Sequence, residues 1–219
     1  MKKISLVNAS PKGQKSTSNY LLKEFSRLLD ADEYEENFIN ITSSNNNNTF
    51  DTLANSTIII LAFPLYIDCL PAVLINFLNK YESHLNNHNN LPKVYAIVNM
   101  GFPEPEQTKT ALEIVENFCI KTNHSYQYGL GIGMGGAIGT NPKSRLNKGI
   151  TKPIYSAFVE MVNSFNADNT NTCTDCIKEN QYVTPSVPKF LYIFLGSLSW
   201  IRQGHENGLK KKDLLRKLY

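Results

Sequence analysis

The feature that most constrains this chain is Ser56–Phe63 (STIIILAF), an unbroken apolar run closed by Pro64. A strand with one solvated face alternates apolar and polar side chains. A continuous run of this length instead predicts a strand covered on both faces, at the centre of a parallel sheet. Parallel strands need crossover connections, usually helices. The flanking sequence supplies both. Lys3–Asn8 (KISLVN), Glu36–Thr42 (ENFINIT), Lys93–Asn99 (KVYAIVN) and Tyr126–Met134 predict four further strands. Asn19–Leu29 carries apolar residues at helical spacing (Tyr20, Leu21, Phe25, Leu28, Leu29). Pro71 opens AVLINFLNKY, as proline favours a first helical turn. Glu106–Thr122 and Leu146–Phe165 predict two more helices. The polar tract Ser43–Thr49, with four consecutive Asn, reads as a surface loop, and the alternation is complete if the link after the second strand hides a short helix. Such alternation points to a doubly wound α/β domain with a five-stranded parallel sheet.

Composition sets the class. Of 219 residues, 42% are hydrophobic and 19% charged, so the chain builds a core and is not disordered. The net charge of +3 is too mild for a nucleic-acid binder, which concentrates many phosphate-neutralising cations on one face. Four cysteines exclude a disulfide scaffold. Met1-Lys2-Lys3 precedes only a short apolar run before Asn8, so no secretory signal is read. Ile58–Leu70, broken by Pro64 and Asp68, and Phe190–Ile201 fall short of the roughly 20 residues of a spanning helix. The expectation is a soluble, cytoplasmic protein with no membrane span and no nucleic-acid partner. Beyond Asn166 the pattern changes to an Asn/Thr loop and two helices, Val187–Ile201 and Leu209–Leu218, the second containing the basic run KKKDLLRK. Residues 1–165 are therefore expected to form the α/β domain, and residues 166–219 a C-terminal helical appendage packed on it.

Ligands of open α/β sheets bind beyond the carboxyl ends of the strands. The loop after the first strand runs from Asn8 to Ser18 into a helix, with hydroxyls at Ser10, Ser16, Thr17 and Ser18 and lysines at Lys12 and Lys15. A helix N-terminus with such residues suits a phosphate; the alternative is that Ser16, Thr17 or Ser18 merely caps the helix. The pattern is not a Walker A loop, since no Lys-Ser/Thr pair directly follows a second glycine. The loop after the third strand, Pro64 to Pro71, combines two prolines, an aromatic and apolar residues, a stiff platform suited to a planar ring or an ordinary loop with a buried Tyr. In the loop after the fourth strand, Gly101 permits close backbone approach, and Phe102 is either a ring contact or a core plug.

Ser10-Pro11-Lys12 with Ser16-Thr17-Ser18, Pro64-Leu65-Tyr66-Ile67-Asp68 with Leu70-Pro71, and Asn99-Met100-Gly101-Phe102 together resemble the flavodoxin-like NAD(P)H-dependent FMN reductase and quinone oxidoreductase family. The match spans about residues 1 to 165. The resemblance implies a flavodoxin-like fold, an FMN cofactor, NAD(P)H as electron donor, a quinone, flavin or other small aromatic acceptor, and a homodimer. It places Ser10, Lys12, Ser16, Thr17 and Ser18 on the FMN phosphate, Pro64, Leu65, Tyr66 and Ile67 along the isoalloxazine, and Asn99, Met100, Gly101 and Phe102 in a third flavin contact. The family's first loop commonly has Gly-Ser-Pro-Arg where this chain has Ala9-Ser10-Pro11-Lys12, and lysine lacks the bidentate fork of arginine. Hydride transfer requires no acid–base residue, so no catalytic residue is assigned. A flavodoxin-type electron carrier and a non-enzymatic flavin-binding module are the alternatives, the carrier being disfavoured by the positive charge.

Other motifs carry less. Gly131 to Gly136 spells G-x-G-x-x-G but follows a fifth strand, and the first acid beyond it is Glu160, inside a predicted helix. It reads better as a strand-end loop by the exposed edge of the flavin. Cys173 and Cys176 form a CxxC in a polar loop. Inert thiols, a labile disulfide or a metal pair remain open for it, and Cys69, Cys119 and the four histidines show no ligand spacing that would complete a metal site.

Overall fold

The computed structural model describes residues 1–42, 47–85, 91–139, 145–167 and 179–216. Six parallel strands form one sheet: β1 (Lys2–Asn8), β2 (Tyr34–Asn40), β3 (Ile58–Pro64), β4 (Lys93–Asn99), β5 (Ser125–Ile132) and β6 (Gln181–Val183). Their order is β2-β1-β3-β4-β5-β6. The first five positions are the flavodoxin-like 2-1-3-4-5 order, in which the order of strand addition reverses between β1 and β3. The helices are α1 (Thr17–Ser26), α2 (Asn47–Ala54), α3 (Ala72–His84), α4 (Lys109–Thr122), α5 (Gly135–Ile138), α6 (Lys152–Ala167), α7 (Lys189–Glu206) and α8 (Lys211–Leu214).

The apolar run behaves as its pattern requires. Ile59, Leu61 and Phe63 of β3 enter a core with Phe50 and Leu53 of α2, Leu74 and Phe77 of α3, and Leu112 and Val115 of α4. Ile58, Ile60 and Ala62 enter a second core with Leu21 and Phe25 of α1 and with Ile154, Phe158 and Met161 of α6. The sheet is thus covered on both faces, and β3 lies between them. Phe25 meets Phe158 edge to face at 5.3 Å.

Three elements differ from expectation. The sheet has six strands instead of five. Residues 181–183 fall in the region expected to be helical, but pair with Leu130–Ile132. Three half-buried residues are too few to print an alternation. Glycine makes the pairing possible: a Cβ on Gly131 would meet Tyr182 at 2.8 Å and the Pro105 carbonyl at 3.1 Å. The second difference is α2, which begins within the Asn tract at Asn47; only Phe50, Leu53 and Ala54 of this helix are buried. Residues 43–46 of that tract lie outside the described residues. Third, the terminal helix is one turn, Lys211–Leu214, not Leu209–Leu218 among the described residues. Its lysines repel and it has little core to pack on, so a longer helix gains little. Cys173 and Cys176 also lie outside the described residues.

One buried polar group sits in the first core. His124 Nδ1 is 2.7 Å from Thr122 Oγ1 and Nε2 is 3.2 Å from the Tyr81 hydroxyl. The Thr122 hydroxyl donates to Phe118 O at 2.7 Å. Nδ1 therefore donates to Thr122, and Nε2 accepts from Tyr81. Burial holds the imidazole down to about 4, so it is neutral at pH 7.

Candidate functional site

The three loops singled out from the sequence leave the carboxyl ends of β1, β3 and β4, which are neighbours in the sheet. β1 ends at Asn8, which is fully buried. Its Nδ2 donates to Gly13 O at 3.0 Å and to Asn40 Oδ1 at 2.8 Å, while its Oδ1 accepts from the Ser10 amide at 3.2 Å. One side chain therefore ties the first loop to the end of β2. From the sequence, Asn8 is expected only to end the strand and begin the loop. An amide side chain closing an otherwise apolar buried strand was the available signal, since a buried amide must be hydrogen-bonded. Gly13 takes a φ of 55°, which favours glycine, and its carbonyl receives both Asn8 and the Ser16 hydroxyl (2.6 Å).

The five residues expected around a phosphate divide into two groups. Ser16 is the N-cap of α1, accepting from the Asn19 amide at 3.1 Å. Ser18 is buried and donates to Asn99 Oδ1 at 2.7 Å. Both hydroxyls are thus committed within the protein. Ser10 is buried and its Oγ accepts a long bond from the Lys12 amide, 3.4 Å. Thr17 is half-buried at the first position of α1, and Lys12 is exposed. The leading amides of α1 precede its first internal bond, so the helix end keeps its donors and partial positive charge.

Pro64 and Leu65 are half-buried; the Leu65 amide donates to Asn99 O at 2.9 Å, binding the second loop to the third. Tyr66 and Cys69 exchange backbone hydrogen bonds of 3.0 and 3.1 Å around Ile67 and Asp68. Both central residues have positive φ, 50° and 56°, the pattern of a type I′ turn. Aspartate tolerates this conformation, whereas a β-branched isoleucine is strained in it. Ile67 is also 97% exposed. The tight turn lifts Tyr66 and Ile67 out of the body as a small apolar promontory.

Asn99 and Met100 are buried. A Cβ on Gly101 would meet no heavy atom within 4 Å, so the surface there is open. Phe102 is 66% exposed, which removes the core-plug reading. The glycines after β5 pack against this third loop. Gly135 donates to Met100 O at 2.7 Å and Met134 to Phe102 O at 2.8 Å. Those glycines admit protein backbone: a Cβ on Gly135 would lie 2.9 Å from Met100 O. Tyr192 of α7 was not expected here and donates to Gly101 O at 2.6 Å. Among the described residues, no group of His, Cys, Asp and Glu is placed to hold a metal.

No protein-family model matches the chain, and no curated protein sequence matches it. Solved structures do. An NADH:FMN oxidoreductase superposes with a TM-score of 0.57 at 14% identity, over 78% of this chain and 91% of that one. An NAD(P)H:quinone oxidoreductase from Methanothermobacter marburgensis gives 0.55 at 9%, over 75% and 96%. An NADPH-quinone reductase from P. pentosaceus gives 0.54 at 17%, over 79% and 100%. At these identities the likeness establishes the fold, which is flavodoxin-like. The chain is thus similar in fold to NAD(P)H quinone and FMN reductases.

Proposed function

We propose that this chain binds FMN at the ends of β1, β3 and β4 and is an NAD(P)H-dependent oxidoreductase that reduces a quinone, a flavin or another small aromatic acceptor. The observation that carries the reading is the Ser18–Asn99 hydrogen bond, which fastens the phosphate-type loop to the third loop across the β1/β3 reversal. That crevice is where flavodoxin-like folds hold FMN. The residues fit such a group. Donors at the α1 terminus, with Thr17, Ser10 and the charge of Lys12, suit a phosphate. Pro64, Leu65, Tyr66, Ile67, Gly101 and Phe102 offer a largely apolar surface to a flat ring, much of it exposed, with Met100 buried next to Gly101. Ser16 and Ser18 act indirectly, one by capping the helix and the other by holding Asn99. Bound flavin would supply the hydride chemistry, and the protein would supply orientation and exclusion of water.

Equilibrium titration with FMN, followed by anaerobic addition of NADPH or NADH and then a quinone, tests the reading. Expected results are uptake of the flavin, bleaching by at least one nicotinamide and recovery on adding quinone. Failure to take up FMN refutes it; uptake without bleaching favours the electron carrier. Ser18→Ala leaves Asn99 Oδ1 without its buried donor, so it should cost about 1–3 kcal/mol in denaturant unfolding and weaken FMN binding.

A further inference from the structure

The helix α7 turns its apolar side to solvent. It is rooted at the candidate site, where Tyr192 donates to Gly101 O (2.6 Å), the Tyr192 hydroxyl lies 3.1 Å from where a Cβ on Gly136 would be, and Lys189 reaches Glu104 at 3.2 Å. At about 100° per residue, Lys189, Tyr192, Gly196, Ser199 and Gln203 share one narrow stripe, the side of those root contacts. The rest of the circumference carries Phe190, Ile193, Phe194, Leu195, Leu198 and Trp200, all exposed, with Phe190 at 75%. A surface helix ordinarily points its apolar arc inward and its polar stripe outward. Here the apolar arc is exposed, and beyond Tyr192 so is the polar stripe at Gly196, Ser199 and Gln203, along a helix of 18 residues that reaches about 27 Å.

The same chain offers a second apolar surface beside that root. Ile67, Phe102 and Tyr66 stand exposed at the strand ends. If each half-exposed large side chain offers about 100 Å², the arm and this rim together present roughly 900 Å². A stable dimer needs about 800 Å² from each partner, and monomers rarely leave a patch above about 600 Å² uncovered. Charge points the same way. Residues 189–219 hold seven Lys and Arg against two Asp and Glu, a net of +5, while residues 1–188 hold fifteen against seventeen, a net of −2. The C-terminal segment and the body thus carry opposite net charge, most of the positive charge lying at Lys210–Lys217, and the contacts of α7 with the α/β body described above all lie at its root. A lipid surface fits less well. Interfacial helices carry Lys and Arg along the polar face, whereas this stripe is Tyr, Gly, Ser and Gln with a single Lys.

We propose that α7 is an exchanged arm: in a two-fold dimer, the apolar arc of each α7 seats on the other copy's arm and on its Ile67–Phe102 rim, completing the candidate site with residues of the partner. Two arms exchanged about a two-fold axis close on themselves and leave no further surface to propagate. The inference depends on where the rim lies and not on what the site binds, so it stands or falls without flavin.

Sedimentation equilibrium of the full chain without added ligand tests it, read together with the emission of Trp200, the only tryptophan. The expected species is twice the 24.7 kDa chain mass, and emission shifts to the blue as concentration drives assembly. Phe194→Glu in the arm, and independently Ile67→Asp in the rim, should each raise the dimer dissociation constant at least tenfold. Aspartate accepts the positive φ of the turn, and circular dichroism verifies the fold of both variants. A monomer at tens of micromolar, or a dimer that neither substitution weakens, overturns the proposal. So does a protein that stays monomeric in solution but shows the Trp200 shift on vesicles containing anionic lipid.

Discussion

The two faces of the sheet and the outer side of α7 are built from the same kinds of residue, and they use them in opposite ways. In the body, Phe25, Phe63 and Phe158 are fully buried. Polar intruders such as Asn8 and His124 are matched with partners. In the arm, Phe190, Phe194, Leu195 and Trp200 stand in solvent around a stripe of small and polar residues. The contrast teaches that an apolar helix in a sequence announces burial without saying against what. In α6 the answer is the same chain. In α7 the α/β body supplies contacts at the root and α8 covers Gly204 near the other end, and the apolar arc between them is left for another molecule.

The sharpest way to break that contrast is to truncate matching side chains. Phe158→Ala removes a ring packed edge to face on Phe25. It should cost about 3–5 kcal/mol in denaturant unfolding, since the cavity is poorly refilled. A cost below 1 kcal/mol would show the body to be no better packed than the arm. The next effect is acid sensitivity. His124 has its value lowered from 6.5 to about 4 in the folded protein, so between those values the unfolded chain binds the extra proton. Stability rises with pH across that window and is lost as pH falls from about 6.5 toward 4, by on the order of 3 kcal/mol. His124→Asn should flatten this slope in pH-dependent unfolding; an unchanged slope would assign it elsewhere. The smallest effect belongs to the arm. Phe194→Ala, measured at chain concentrations low enough to keep copies apart, should change unfolding by no more than about 0.5 kcal/mol. A larger loss would mean that α7 packs on its own body after all.

Much of this was legible from the sequence, for reasons that also mark the limit. The run at Ile58–Pro64 and the helical spacing of Tyr20, Leu21 and Phe25 are local patterns, and each persists in the fold. The strand-end loops follow from them, because the ends of adjacent parallel strands must open on one side. What was hidden is what depends on distant partners. Ser18 is spent on Asn99, 81 residues away, and no spacing within the first loop reveals it. The β6 strand exists because Gly131 leaves room for Tyr182, a relation between two segments far apart in the chain. The outward turn of α7 depends on which side Tyr192 anchors. Periodicity fixes the width of an apolar arc but not its direction.

The pairing of β6 has a consequence for synthesis on the ribosome. β5 ends at Ile132 and its edge partner begins at Gln181. At translation rates of roughly 5–20 residues per second, the five preceding strands emerge roughly 2–10 s before the sixth. During that interval the β5 edge offers unpaired amides and carbonyls to any neighbouring nascent chain, and the arrival of three residues covers its Leu130–Ile132 end.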